Sequence, residues 1–128
     1  MKKTDEIVIG FYNEIKKYGF IEISSDDYMV RYTRENVEIQ LFFGRYSEQP
    51  DIFVRYEDDD KPEQFSVALM LFTHEMESGL ENSLNDSNEN TRMIKIVDYF
   101  IKNSDTVLSK AKCRSKKAKL DEYLKSNY

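Results

Sequence analysis

The chain has 128 residues, a length that predicts a single domain over residues 1–128, large enough to fold without a disulfide or a metal. Its one cysteine, Cys113, excludes an intrachain disulfide and a metal site of several cysteines. No stretch approaches the ~18 apolar residues that a membrane-spanning helix requires, and the N-terminal apolar run is too short for a signal peptide. We therefore expect a soluble protein of the cytoplasm.

The net charge of −5 is unevenly distributed. Residues 1–101 contain 11 Lys or Arg against 21 Asp or Glu, a balance of −10, and residues 102–128 contain 8 against 3, a balance of +5. Because binding to phosphates depends on clustered cations, the acidic body argues against nucleic acid as the main partner and favours a basic partner. The basic end could bind the same chain, bind an anion, or do neither.

The first predicted element is an amphipathic helix in TDEIVIGFYNEIKKYGF. Thr4 can cap its start, and Gly19 lies where a left-handed residue commonly ends a helix. Its apolar face has helical spacing and consists of Val8, Phe11, Tyr12 and Ile15.

About four short strands follow, beginning with FIEIS, and their short connections favour an antiparallel meander. Apolar residues alternate along the next three strands. The face that they form consists of Tyr28, Val30, Tyr32, Val37, Ile39, Leu41, Phe43, Ile52, Val54 and Tyr56.

The segment EDDDKPEQFSVALMLFTHEMESG predicts a turn followed by a helix, with Pro62 and Glu63 in the first helical turn. Residues 65–72 are apolar on nearly every side, which indicates a helix packed on more than one side. A buried strand is the competing interpretation, because short apolar runs fit both. Gly79 ends the segment, and the polar sequence ENSLNDSNENT predicts a loop.

The C-terminal part is predicted to be helical. Ser104 suits an N-cap, and a change of apolar phase predicts a break near Arg114 and Ser115 with a last short helix after it. The apolar face of the helix in TRMIKIVDYFIKN consists of Met93, Ile94, Val97, Phe100 and Ile101. The expected fold is α+β: an N-terminal helix, an antiparallel meander of about four strands and several C-terminal helices packed on the sheet.

Few residues could support catalysis or hold a metal. His74 is the only histidine, so the segment HEMES lacks the second histidine of a helical zinc motif. Lys112 and Arg114 flank Cys113 and could lower the pKa of its thiol, but His74 is the only histidine that could act as its base. EF-hand spacing and glycine-rich phosphate loops are missing. We expect no catalytic residues, no metal and no cofactor.

Two charged segments have alternative interpretations. The acidic run Glu57, Asp58, Asp59 and Asp60 is either a solvated turn that caps the next helix or a patch for a cationic partner. The basic residues of the tail form either a solvated helix face or a contact for nucleic acid. They are Lys110, Lys112, Arg114, Lys116, Lys117 and Lys119.

The outer face of the sheet mixes apolar and charged residues: Met29, Arg31, Glu38, Gln40, Phe42, Phe53 and Arg55. Covering Met29, Phe42 and Phe53 would contribute about 5–8 kcal/mol, which is comparable with the net stability of a domain. We therefore expect a helix of the same chain to cross this face. The alternative is a partly exposed binding patch whose anchors are aromatic residues and arginines.

The order of these segments resembles the small bacterial immunity-type proteins encoded beside polymorphic toxins. The resemblance covers a leading helix ending in YGF, the strands in VRYTRENVEIQLFFGRYSEQPDIFVRY, the apolar segment FSVALMLF and the helical end MIKIVDYFIKNSDTVLSKAKCRSKKAKLDEYLKS. The SEQP loop and the strongly basic tail depart from that pattern. The resemblance implies an α+β inhibitor that binds a cognate toxin and performs no chemistry.

The leading hypothesis is a non-catalytic binding protein that neutralises a toxin by occupying or distorting its active site. Its candidate contacts are Arg31, Glu38, Phe42, Phe53, Arg55, Glu57, Asp58, Asp59 and Asp60. The alternatives are a nucleic-acid-associated regulator that uses the basic C-terminal helices, or a structural or interaction module. An enzyme with a carboxylate-only or substrate-assisted site is a third possibility, which no spacing in the sequence supports.

Overall fold

The computed structural model describes residues 4–45, 48–57, 61–80, 82–84 and 88–127. The elements are helix α1 (Asp5–Ile15), a 3-10 turn (Lys16–Tyr18), strands β1 (Ile21–Ser25), β2 (Met29–Arg34), β3 (Val37–Phe42), β4 (Asp51–Tyr56) and β5 (Glu63–Ser66), and helices α2 (Val67–Glu77), α3 (Glu89–Lys102), α4 (Ser104–Val107) and α5 (Lys110–Asn127). The strands form one antiparallel sheet in the order β1-β2-β3-β4-β5. The predicted α+β fold with a meander is confirmed, with five strands described instead of four.

Helix α1 begins after Thr4 as predicted, but the α-helix ends at Ile15 and a 3-10 turn continues to Tyr18. Its apolar face is turned towards the core. Phe11 and Ile15 are fully buried. Gly19 follows with a left-handed φ of 88°, as predicted for a residue that ends a helix. Thr4 occupies the N-cap position, but its side chain makes no capping hydrogen bond.

The strand register aligns the predicted apolar residues in rows across the inner face of the sheet. One row joins Val30, Leu41 and Ile52 on β2, β3 and β4, and all three are fully buried. The helices pack on this face. The rings of Phe11 and Phe100 form a T-shaped pair with centroids 5.1 Å apart, and the Tyr56 hydroxyl donates to the carbonyl of Val107 at 2.8 Å.

The prediction that Pro62 and Glu63 start a helix is wrong, because Glu63–Ser66 forms β5 and α2 begins at Val67. Phe65 pairs with a residue of β4 and is buried in the sheet, so the segment 65–72 is divided between a strand and a helix. Ser66 then caps α2 by accepting a hydrogen bond from the N–H of Leu69. The N-cap of α2 is therefore Ser66 and not a residue of the acidic run that begins at Glu57.

The buried face of α3 is rotated from the predicted one. The predicted face is right for Met93 and Phe100 but wrong for Ile94, which is 50% exposed. The buried residues are Met93, Ile96, Tyr99 and Phe100. A broad apolar arc satisfies the helical period in more than one orientation, and packing between α1 and α2 selects one of them. The predicted polar loop also contributes Leu84 to the core.

The predicted break near Arg114 and Ser115 is wrong, because α5 continues to Asn127. The break lies between α4 and α5, at residues 108–109. Ser104 begins α4 but is not its N-cap, and its hydroxyl forms a 2.8 Å hydrogen bond with that of Tyr18. No helix in the described ranges is long and apolar enough to cross a membrane.

Candidate functional site: the open face of the sheet

The side of the sheet opposite the helices is the candidate binding site. We call it the open face and define it as Met29, Arg31, Glu38, Gln40, Phe42, Phe53 and Arg55. None of these residues belongs to the apolar core, which is formed by the inner face and the helices. The predicted helix across this face is wrong for the part of the chain that the structure describes, and the alternative of partial exposure holds.

Two side-chain hydrogen bonds hold helices to the sheet. Helix α2 begins directly at the end of β5, and its first turn is held by the side chain of Asp51, which accepts from the N–H of Ala68 at 2.9 Å. Helix α4 is held to the inner face by the hydrogen bond between Tyr56 and Val107. These two bonds fix the start of α2 and the end of α4 to strand β4.

One end of the open face is apolar. Met29 on β2 lies directly opposite Phe42 on β3, and Phe53 follows on β4. The two phenylalanine rings are tilted by 41°, with centroids 6.3 Å apart. All three side chains are half-buried, so each keeps apolar surface that a partner can cover.

The other end of the open face is a network of charged residues centred on Glu38. The Arg31 guanidinium donates to one carboxylate oxygen of Glu38 at 2.5 Å, and the Gln40 amide donates to the other oxygen at 2.6 Å. Glu38 is only 7% exposed. Burial alone would raise the pKa of its carboxyl, but the hydrogen bonds from Arg31 and Gln40, together with the charges of Arg31 and Arg55, lower it below the ordinary value. Glu38 is thus an anion fixed in position.

Arg55 extends this network across β4. It lies opposite Glu38 in the strand register, and its Nε donates to the carboxylate of Glu57 at 2.7 Å. The contacts described for Arg31 and Arg55 use one donor of each guanidinium, which has five N–H groups. Both arginines are partly exposed, so they can donate to a carboxylate or a carbonyl of a partner as well.

Six of the nine predicted contact residues therefore lie together: Arg31, Glu38, Phe42, Phe53, Arg55 and Glu57. Asp58, Asp59 and Asp60 lie outside the described residues. The predicted contact set omitted Gln40, which orients Glu38, although the alternation of β3 already placed it on this face. It also omitted Ile21 of β1, which pairs with Thr33 and is 59% exposed.

Cys113 is not an activated thiol. It is fully buried, its Sγ lies 3.3 Å from the carbonyl oxygen of Val107, and burial raises the pKa of the thiol to about 11. The flanking Lys112 and Arg114, which could have lowered this pKa, therefore do not offset the effect of burial. The exposed His74 lies beside the ring of Tyr99, with centroids 5.8 Å apart. No cluster of three or more His, Cys, Asp or Glu in the described ranges could hold a metal ion.

The cations of α5 face acids of the same chain. Lys116 and Lys119 both contact the carboxylate of Glu77, at 2.8 and 3.0 Å, and Arg114 forms an ion pair with Glu63. The hydrogen bond from Arg114 is the main reason that the pKa of Glu63 is lowered, and the charges of Lys110 and Lys117 add to it. Lys112 lies 3.6 Å from Asp105. The basic end thus neutralises part of the acidic body, and its contact with nucleic acid stays a prediction.

No protein-family model, curated protein sequence or solved structure is significantly similar to this chain.

Proposed function

We propose that the chain is a cytoplasmic protein-binding module, without catalysis of its own, that neutralises a cognate toxin in the manner of an immunity protein. The observation that supports this most directly is the open face, where two half-buried phenylalanines lie beside two partly exposed arginines and no described helix covers them. Aromatic residues and arginine dominate the binding energy of protein interfaces.

The open face is also ordered before a partner arrives. Phe42 and Phe53 contact each other on adjacent strands, and Glu38 is held by Arg31 and Gln40. Binding to a surface whose side chains are already fixed loses less conformational entropy, so more of the contact energy appears as affinity. In an inhibitor of this kind, the phenylalanines fill an apolar depression in the toxin, and the arginines donate to its acidic or carbonyl groups.

The charge of the chain favours a basic toxin. Residues 1–101 have a balance of −10, which would accelerate association with a cationic domain and make its rate dependent on salt. The open face mixes both signs, so the long-range attraction comes from the acidic body and the orientation comes from the local network. A nuclease-like toxin, whose substrate is an anion, fits this distribution of charge.

The test is a quantitative pull-down from a lysate of the source organism with the unmodified chain and two variants. Phe53→Ser changes the open face, and Leu80→Ser is the matched control, because Leu80 is 60% exposed and lies after α2. We expect one stoichiometric protein that the Phe53→Ser variant captures poorly and the control captures fully. Expressed alone, that protein should arrest growth, and the unmodified chain should restore it.

Two results would contradict this function. The first is a partner that both variants capture equally, and the second is a partner that is harmless when expressed alone. Nucleic acid that is released by a high-salt wash, and is lost when the cations of residues 110–119 are neutralised, would favour the regulator instead.

A further inference from the structure

A groove lies between strand β5, helix α2 and helix α5, and we call it the β5–α5 groove. Helix α5 contacts α2 through the rings of Phe72 and Tyr123, which form a T-shaped pair with centroids 6.1 Å apart. It contacts β5 through the ion pair between Arg114 and Glu63. The groove has a volume of about 340 Å³. Its apolar lining consists of Phe65, Leu69, Met70, Cys113, Leu120 and Leu124.

The floor of the β5–α5 groove is buried, and its rim is exposed. Met70, Cys113 and Leu120 belong to the buried residues of the chain. In contrast, Leu69 of α2 is 52% exposed and Leu124 of α5 is 40% exposed. Two exposed leucines at one apolar depression form a surface that water solvates poorly. A ligand that covers this surface is therefore stabilised by the hydrophobic effect.

The two hydroxyl groups that line the groove are used within the chain. The Ser66 hydroxyl donates to the carboxylate of Asp51 at 2.5 Å and accepts from the N–H of Leu69. The Thr73 hydroxyl donates to the carbonyl of Leu69 at 2.8 Å. A ligand with a polar body would lose hydrogen bonds to water without replacement, so the body of the ligand is apolar. The remaining polar side chains of the lining lie at or near the surface: Gln64, Lys116, Lys117 and Asp121.

The charge around the groove favours an anion. Lys117 is exposed and, unlike its neighbour Lys116, forms no ion pair with a described residue. Asp121 also lines the groove, about one helical turn after Lys117. Residues 102–128, which include Asp121, have a balance of +5, and the two described acids outside this range that pair with α5 reduce it to +3. Positive charge therefore prevails, and an anionic group is favoured beside Lys117.

The size of the groove selects a small, linear ligand. Ligand pockets commonly measure about 300–1,000 Å³, so this groove lies at the lower end of that range. The lining residues of α5 recur at helical spacing from Cys113 to Leu124, a length of about 16 Å at about 1.5 Å per residue. An apolar groove of this length and volume fits one extended hydrocarbon chain, whereas a lipid with two chains exceeds it.

We infer that the β5–α5 groove binds a small amphiphilic carboxylate, with one unbranched hydrocarbon chain of medium length and one anionic head group. The chain lies over Phe65, Met70 and Leu120 and is covered at the rim by Leu69. The carboxylate lies beside Lys117, whose ammonium group donates to it. No residue of the open face lines the groove, so this inference goes beyond the proposed function and does not depend on it.

The test is a titration of the full chain, labelled with ¹⁵N, with decanoate, followed by the amide shifts in NMR spectra. Two matched compounds separate the contributions: decyltrimethylammonium keeps the chain and reverses the charge, and butyrate keeps the charge and shortens the chain. We expect decanoate to shift the amides of residues 69–73 and 113–124. It should bind more than about tenfold tighter than butyrate, which buries fewer methylene groups. It should bind at least about threefold tighter than decyltrimethylammonium.

Two variants with matched controls test the location. Leu69→Ser removes apolar surface at the rim and should weaken the binding of decanoate about fivefold. Its control is Ile94→Ser, because Ile94 is 50% exposed on α3 and does not line the groove. Lys117→Gln should weaken the binding of decanoate about two- to fivefold without weakening that of decyltrimethylammonium. Its control is Lys112→Gln on the same helix, outside the groove, and both controls should bind decanoate like the unmodified chain.

Four results would overturn the inference. They are no shift of the amides in the two segments, shifts spread evenly over the chain, binding of decyltrimethylammonium as tight as that of decanoate, and equal affinities of Leu69→Ser and its control. Sedimentation with phosphatidylglycerol vesicles, without binding of decanoate, would also overturn it, because the acyl chain would then belong to a membrane. None of these measurements involves Phe53, so the pull-down tests the proposed function separately.

Discussion

Replacing Asp51 by alanine should destabilise the fold more than any surface substitution, because this carboxylate joins β4, β5 and α2. Its Oδ1 accepts the N–H groups of Ile52 at 2.7 Å and Ala68 at 2.9 Å, and its Oδ2 accepts the hydroxyl of Ser66 at 2.5 Å. Ser66 in turn caps α2 by accepting from Leu69 at 3.1 Å. Asp51 is only 7% exposed, so water cannot replace it at these donors.

The expected loss follows from the donors left without an acceptor. Asp51→Ala leaves the N–H of Ala68 and the hydroxyl of Ser66 unsatisfied, at about 1–3 kcal/mol each. Removing a buried charge offsets part of this, so we expect a decrease of about 2–4 kcal/mol in the free energy of unfolding. Asp51→Asn keeps an acceptor for Ala68 and a donor for the oxygen of Ser66, and should lose about 1 kcal/mol.

Urea unfolding followed by far-UV circular dichroism measures both variants. A loss under about 1 kcal/mol for Asp51→Ala, or equal losses for alanine and asparagine, would refute the reasoning.

The pH dependence of stability gives a second check. Burial raises the pKa of the Asp51 carboxyl, although the hydrogen bonds from Ser66, Ala68 and Ile52 oppose the rise. Protonation of Asp51 therefore stabilises the folded state. This contribution is fully present below the pKa of Asp51 in the unfolded chain, and it is lost as the pH rises through the pKa of Asp51 in the folded protein. The unmodified chain should therefore exceed Asp51→Asn in free energy of unfolding by a growing margin as the pH falls.

Three further predictions concern single groups. Glu38→Gln should lower stability at neutral pH by about 1 kcal/mol, measured by urea unfolding. Because the folded pKa of Glu38 is lowered, the difference should persist above its unfolded pKa and vanish as the pH falls through the folded one; a constant difference would contradict this. Cys113, whose pKa is raised to about 11, should react with a thiol reagent at neutral pH only after denaturant is added, and rapid labelling of the native protein would disprove its burial. Glu77→Gln should lower the melting temperature only slightly, since its contacts with Lys116 and Lys119 are partly exposed, and the effect should shrink in high salt.

The candidate site could be predicted from the sequence to the extent that strand alternation defines it. A period of two assigns Arg31, Glu38 and Phe42 to one face whatever the helices do. Whether that face is covered depends on the direction in which the chain leaves β5, and no local pattern encodes this direction. The 7% exposure of Glu38 could not be predicted either, because it arises from side chains on three neighbouring strands.

The sequence by itself determined the first helix with its ending at Gly19, the inner rows of the sheet and the antiparallel order of the strands. These features depend on interactions between residues close along the chain, where periodicity and turn chemistry decide the outcome. The tertiary structure alone decided where β5 ends and α2 begins, which side of α3 is buried, and that α5 is continuous. Each of these depends on distant partners: Asp51 for α2, α1 and α2 for α3, and Glu63 and Glu77 for α5. Contacts across 15 to 51 residues leave no periodic signal in the sequence that specifies them.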